Sequence, residues 1–283
     1  MALFIKNVAA PYLLKEMESR LVIGKLATNI SKDIDDLAWN GNQITFPTYS
    51  RVAEANVIET KGSVTPVEID GDSSVAPIKH VGAGVKYHAD TLRTSGGKIL
   101  ANMALRDLAD AMALKLDADI MSEAITGSTL RYAAAAADAL TADELEGGLS
   151  LFGDRQNVNE FSGILIHSKL FPSVLAMPGF SSTSLTYTTQ NNGIVKGQQV
   201  GFDRGIPLFL TNNANYISEA GSYECKTVIL KKGALGYALK KSVEFNENYN
   251  NETFYTSIVA DTYSACKLLD TDKAVLICKT ISD

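Results

Sequence analysis

The chain has 283 residues with 46% hydrophobic and 20% charged side chains, ordinary proportions for a folded chain with a sizeable core. A net charge of −6 and a pI near 5.2 exclude an adhesive nucleic-acid binder, which carries a basic footprint, though not a container that faces DNA without gripping it. No run of about 18 apolar residues is present, so no membrane-spanning helix is expected, and the start MALFIK lacks the basic-then-apolar order of a signal peptide.

Residues 8–30 have helical spacing. Leu13, Met17, Leu21 and Gly24 fall on one side, Pro11 suits a first turn, and charges fill much of the rest, as in a helical arm whose apolar face needs another surface to cover it. Residues 44–52 read as a strand, and Pro47 marks it as an edge. Residues 51–85 are polar and broken by Gly62, Pro66, Gly71, Pro77, Gly82 and Gly84, with short alternating pieces at 64–69 and 81–87. The pieces fit a long two-stranded arm, and an isolated hairpin needs a partner to pack on.

The firmest local expectation is one helix over 96–125, capped by Thr94 or Ser95 and closed by Gly127. Leu100, Ala104, Leu108, Ala111, Leu114, Ala118, Met121 and Ile125 step by three and four into one stripe, opposite Asn102, Arg106, Asp110, Lys115, Asp117 and Ser122. At 1.5 Å per residue such a rod is about 45 Å long, enough to cross an elongated subunit. More helix is expected over 131–151, where Thr141 and Glu144 form a capping-box pattern. A strand follows at 162–167, and residues 178–205 read as a long exposed loop region. Strands return at 206–210, 227–231, 235–240, 243–251, 253–268 and 274–279, with the hairpin turn at 248–251. Neither face of residues 254–261 is fully polar, which suits a ribbon whose two sides meet different partners.

Residue types with catalytic or ligand chemistry are sparse. Cys225, Cys266 and Cys278 form an odd set without CxxC spacing, so they read as buried or half-buried thiols of a protein made in a reducing cytoplasm rather than a disulfide framework or zinc site. His80 and His88 lie in the extended segment or at its base and His167 stands apart, a poor arrangement for a rigid site. Asp117 and Asp119 point to different sides of a helix and form no acid/base pair. No phosphate-binding glycine loop is present. No catalytic, metal or cofactor-binding residue is therefore nominated, and the chain reads as a non-enzyme.

The segment order resembles the major capsid proteins of tailed bacteriophages, the Hong-Kong-97 fold. ITFPTYSRVAEANVIETKGSVTPVEI resembles the entry strand and E-loop, and VKYHADTLRTSGGKILANMALRDLADAMALKLDADIM the strand leading into the spine helix. KGQQVGFDRGIPLFLTNNA resembles an A-domain segment in which a glycine-rich turn precedes a strand. VILKKGALGYALKKSVEFNENYNNETFYTSIVADTYSACKLLDTDKAVLIC resembles the closing part of the fold.

The resemblance implies an α+β fold with an N-terminal arm (1–43), an extended E-loop (44–85), a P-domain with spine helix and long β-ribbon (86–135 and 236–270) and a mixed α/β A-domain (136–235 and 271–283). It implies a shell subunit that meets itself in pentamers and hexamers around double-stranded DNA, without sequence-specific binding and without a membrane. The virion capsid is its expected place, after assembly in the bacterial host cytoplasm. The N-arm and E-loop would lie on neighbouring subunits. Because the arm reaches the E-loop by about residue 44, a separate scaffolding protein is expected and no large cleavage; a portal and a cement protein are further expected partners. Arg51, Glu54, Glu59 and Lys61 are the candidate inter-subunit contacts. Some members cross-link an E-loop lysine to a P-domain asparagine; Lys61 lies in the matching region, with Asn246, Asn248, Asn250 and Asn251 as candidate acceptors, while the ordinary role of such a lysine is a surface ion pair. An encapsulin-like nanocompartment shell is the alternative of the same fold.

Overall fold

The computed structural model describes residues 6–31, 39–49, 71–94, 97–134, 139–177, 199–213, 216–219, 222–240 and 243–282. Helix α1 spans Lys6–Arg20, and the short strands β1 (Thr28–Asn29) and β2 (Trp39–Asn40) follow it. Next come β3 (Gln43–Tyr49), β4 (Gly71–Pro77), β5 (Lys79–His88), α2 (Ala89–Thr94) and the long helix α3 (Gly97–Gly127). Strand β6 (Leu130–Ala133), α4 (Ala142–Ser150), β7 (Phe161–Ile166), α5 (Phe171–Leu175), β8 (Gln199–Asp203) and β9 (Ile206–Leu210) lead to β10 (Tyr216–Glu219) and β11 (Ser222–Lys231). The last elements are β12 (Leu235–Leu239), β13 (Glu244–Asn250), β14 (Tyr255–Leu268) and β15 (Ala274–Ser282).

The described strands form three sheets. The first has the order β1-β12-β14-β13, with β5 also paired to β14. In it β14 runs antiparallel to β5 from Tyr255↔His88 to Ser264↔Lys79, and to β13 from Tyr255↔Asn250 to Asp261↔Glu244. This is the long ribbon expected over 243–268. The second sheet has the order β6-β15-β11-β7-β9-β8, with β10 on β11. The third is the small sheet β2-β3-β4, in which Gln43↔Pro77 through Tyr49↔Gly71 pair antiparallel. Of the two-stranded arm expected over 44–87, only this pairing of 43–49 with 71–77 lies among the described residues; the expected piece at 81–87 belongs to β5 and pairs with β14 instead. Strand β2 covers β3 only at Gln43 and Ile44, so Pro47 sits where β3 is an edge among the described residues.

Helix α3 supplies the central surface. Ala104, Leu105, Leu108, Ala109, Met112, Ala113, Leu116, Ile120, Met121 and Ala124 are buried, in one cluster with Ile258 and Ala260 of the ribbon and Leu165, Val228 and Leu276 of the second sheet. The expected stripe is rotated by part of a turn. Ala104, Leu108 and Met121 are buried as expected, but Ala111 and Leu114 face outward and Asp117, assigned to the polar side, is buried. The side chain of Leu100 lies outside the described residues.

The face of α1 made by Leu13, Met17 and Leu21 is buried against α3, so this chain's own long helix covers it. Helix ends at Arg20 rather than continuing to 30, because the next residues turn around Asp117 of α3. A second core holds α4, α5 and the other face of the second sheet, including Leu145, Leu149, Ile164, Val174, Ile229 and Ile277.

Two further expectations are corrected. Residues 130–133 are not helical: they form β6, parallel to β15, and the next helix among the described residues is α4, from Ala142. There the capping box forms in both directions, Thr141 Oγ1 accepting from Glu144 N and Glu144 Oε2 accepting from Thr141 N. The end of the expected 178–205 loop is strand β8, joined to β9 by a tight turn in which Arg204 (φ 48°) and Gly205 (φ 86°) both take positive φ, the geometry of a two-residue hairpin.

Candidate assembly surface

The candidate contacts Arg51, Glu54, Glu59 and Lys61 lie outside the described residues. The described surface begins where their segment is rooted. Ile44, Phe46 and Ala76 of the small sheet are fully buried in a cluster with Ala238 and Ala265 of the first sheet, and Ile30, Ile78 and Leu269 pack around them. Side chains alternate along β14, so Ala265 meets this small sheet while its neighbour Cys266 joins the core under α3. The small sheet and the long helix thus cover opposite faces of the same strands.

The chain passes from β4 into β5 through Ile78, whose N–H donates to the Asn42 carbonyl. The next two residues are held on opposite faces. Lys79 Nζ donates to Asp119 Oδ1 of α3 at 2.9 Å, and Lys115, one turn earlier on the helix, donates to the same oxygen at 3.0 Å. His80 points the other way, with Nε2 3.0 Å from Asp261 Oδ2 and its ring stacked on Tyr263 at 4.3 Å between centroids. Burial alone would lower the Lys79 ammonium; the hydrogen bond to Asp119 and the field of that carboxylate outweigh it, so its pKa lies above that of ordinary lysine.

Beyond this root the outer face of the ribbon runs through Gly82, Gly84, Lys86 and His88 on β5, opposite Asp261, Val259, Ser257 and Tyr255 on β14. Asn246, Asn248 and Asn250 of β13 are exposed, the first two opposite Val259 and Ser257. At the tip Tyr249, Phe254, Tyr255 and Val259 are exposed, and His88 makes an edge contact with Tyr255 at 5.0 Å. Phe254 takes φ 55° in the turn, where Asn250 Oδ1 accepts from Glu252 N and Thr253 N. Met103 (58% exposed) and Leu114 (56%) stand out on the free face of α3. Large apolar side chains on ribbon and helix together suit contact with other chains better than an isolated subunit.

The N-terminal segment is tied down by Asp117. Val22 N donates to its Oδ2 at 2.8 Å and Gly24 N to its Oδ1 at 2.9 Å. Burial raises the carboxyl's pKa, and the N–H groups of Val22, Gly24 and Ile23 oppose that shift without cancelling it. Asp117 and Asp119 therefore serve different elements, in accord with their expected divergence.

The remaining polar groups serve local structure. His167 Nδ1 accepts from Lys169 N, and burial, with the nearby Lys169 charge, lowers its pKa. Lys231 lies over the rings of Phe152 and Phe161 at 4.8 and 5.1 Å and bonds to the Arg155 carbonyl and to Glu160. It borders a cleft of about 210 Å³ with Leu130, Leu151, Arg155, Asp272 and Lys273. Among the described residues no group of three or more His, Cys, Asp or Glu is placed to hold a metal ion, and no helix is long and apolar enough to cross a membrane. All three cysteines are free thiols, Cys225 and Cys266 buried and Cys278 partly so.

No family model matches the chain. It is 26% identical over 281 residues to the major capsid protein of Staphylococcus phage phiMR11, covering 97% of this chain and 93% of that protein. Its fold is similar to that of the capsid of Ralstonia phage GP4, with a TM-score of 0.64 at 11% identity over 94% of this chain and 90% of the other. The capsid of cyanophage P-SCSP1u gives a TM-score of 0.63 at 12% identity over 93% and 89%. The chain is thus similar along nearly its whole length to a phage major capsid protein, and it shares its fold with phage capsid chains.

Proposed function

We propose that this chain is the major capsid protein of a tailed bacteriophage, assembling with copies of itself into a closed icosahedral head around double-stranded DNA. The observation that carries the reading is likeness to a phage major capsid protein over 97% of the chain. In this reading β3 and β4 begin the E-loop, α3 and the β5–β14–β13 ribbon form the P-domain, and the second sheet with α4 and α5 forms the A-domain. Pentamers and hexamers then arise from heterologous contacts that close into rings. Arg51, Glu54, Glu59 and Lys61 are the proposed contacts of the E-loop with a neighbour. A separate scaffolding protein, a portal and a cement protein are its proposed partners, and the host cytoplasm its place of assembly. The protein's role is structural, with no catalytic step.

Physical support comes from the exposed apolar residues of the ribbon tip and the free face of α3. Burying such side chains between copies drives association, at about 25 cal/mol per Å² of apolar surface. The nanocompartment alternative has less support, since the full-length sequence relative is a phage capsid protein.

The test is electron microscopy of the protein expressed alone and with its neighbouring genes. Closed shells, tubes or capsomer rings are expected. A monomer or dimer under every condition would overturn the reading, and small shells filled with a protein cargo would favour the nanocompartment. Deleting residues 53–79 would also remove β4 with its buried Ala76, so deletion of 53–69 is the variant expected to leave a soluble subunit that forms no closed shells.

A further inference from the structure

We propose that Lys79 and Asp119 form a charge latch that sets the direction of the β3–β4 arm in the single subunit, before any neighbour is met. Three observations meet at this point. Lys79 is the first residue of β5, directly after the arm's root, so whatever fixes it fixes the exit of the arm. Its partner Asp119 is only 5% exposed, and its other oxygen, Oδ2, is buried without a partner among the described residues, so its described hydrogen bonds are those from Lys79 and Lys115 to Oδ1. The adjacent His80 is held on the opposite face by Asp261 and Tyr263. Consecutive residues of a strand point to opposite faces, so the two contacts grip the strand from below and above.

The two lysines on Asp119 differ in what they anchor. Lys115 belongs to the same helix, and its bond spans one turn of α3. Lys79 lies 40 residues away and ties β5 to that helix. Loss of Lys115 therefore leaves the tie between β5 and α3 in place, whereas loss of Lys79 removes it and leaves the root held by its packing on β12 and β14 alone. The bond from Lys79 to a buried carboxylate is charge-assisted and stronger than a neutral one, although Lys79 is itself half-exposed. A root held in one orientation reduces the ordering cost of docking the arm on a neighbour. This use of the latch rests on the shell reading given above; the latch itself does not.

The experiment is amide hydrogen exchange on the full-length, unassembled subunit carrying Lys79→Met, Lys115→Met or Lys79→Arg, followed by assembly of the same proteins. Lys79→Met is expected to raise exchange at residues 71–81 by about ten- to a hundredfold, as for loss of a hydrogen bond to a charged group. The core amides of Val228, Ile229 and Leu230 should be unchanged. Lys115→Met should leave residues 71–81 near wild type, and Lys79→Arg should restore protection. Wild-type exchange in Lys79→Met, or equal loosening by Lys115→Met, would overturn the latch. Slower shell formation by Lys79→Met is expected; wild-type assembly despite a loosened root would overturn its role in assembly. If the wild-type chain forms no shells at all, the shell reading falls and the exchange result still decides the latch.

Discussion

Lys279 Nζ lies 2.6 Å from Glu144 Oε1, joining β15 to the first turn of α4 across 135 residues of chain. The side chains are 1% and 8% exposed, so this ion pair is inside the second core. Glu144 is also the residue whose Oε2 closes the capping box on Thr141. One carboxylate thus starts a helix with one oxygen and docks it onto a sheet with the other. Glu144→Gln strands the buried ammonium, and loss of one partner of a buried pair costs about 3–5 kcal/mol. The double variant Glu144→Gln/Lys279→Met should recover much of that loss. Urea midpoints of wild type, Glu144→Gln, Lys279→Met and the double variant check this; additive effects would show that the pair is not coupled.

Helix α4 also approaches β15 through Gly148. A Cβ there would stand 2.6 Å from Ile277 Cδ1 and 3.0 Å from Ile277 Cγ1, in a fully buried part of the core. Gly148→Ala gains about 1 kcal/mol of helix propensity. Overpacking costs about 1–3 kcal/mol, so a net loss is expected. Ile277→Val removes the clashing Cδ1, and in the Gly148→Ala background it should restore part of the stability. A stabilised Gly148→Ala protein would show that α4 can slide on the sheet.

Asp117 gives a pH signature. Its folded carboxyl pKa is raised, by burial first, above the ordinary aspartate value. A raised folded pKa contributes stability that is full below the unfolded value and lost as pH rises through the folded value. The stability of wild type relative to Asp117→Asn should therefore fall as pH rises from the ordinary aspartate value through the raised pKa. A difference that stays flat across this window would mean that Asp117 titrates normally. Asp117→Ala should also speed hydrogen exchange at Val22 and Gly24, whose N–H groups lose their acceptor.

The thiols should be inert in the folded chain. Burial first, then the Asp119 charge, pushes Cys266 up to about 12. At pH 8 its thiolate fraction is then about one in ten thousand. Burial raises Cys225 and Cys278 as well. A thiol-reactive dye at pH 8 is expected to label Cys266 and Cys225 only after denaturant is added, with slow reaction confined to Cys278. Fast labelling of Cys266 without denaturant would mean that α3 and β14 separate readily.

Much of the architecture was legible in the residues because it is local. The helix expected over 96–125 is Gly97–Gly127, and the ribbon expected over 243–268 is Glu244–Asn250 with Tyr255–Leu268. The Thr141–Glu144 pattern became a capping box because both partners lie within one turn. Expectations failed where a distant partner decided the outcome. Residues 130–133 (Leu, Arg, Tyr, Ala) are mostly good helix formers, yet β15 offers them a strand edge. Leu114 and Asp117 exchanged their expected sides because α1 and the turn after it wrap α3 from a direction the periodicity does not specify. The latch at Lys79 and Asp119 left no local pattern, since a lysine at a strand start and an aspartate in a helix are each unremarked alone.

By itself, the sequence determined most of the kinds of element and their order, and that order carried the capsid resemblance. These follow from backbone periodicity and from turn and cap chemistry, which act within a few residues. Only the tertiary structure decided which face of α3 is buried, that α1 covers its own long helix, and that Lys79 meets Asp119 while Glu144 meets Lys279. Those pairings join residues 40 and 135 positions apart, so they depend on topology, and topology is set by how whole faces cover one another rather than by any single stretch of chain.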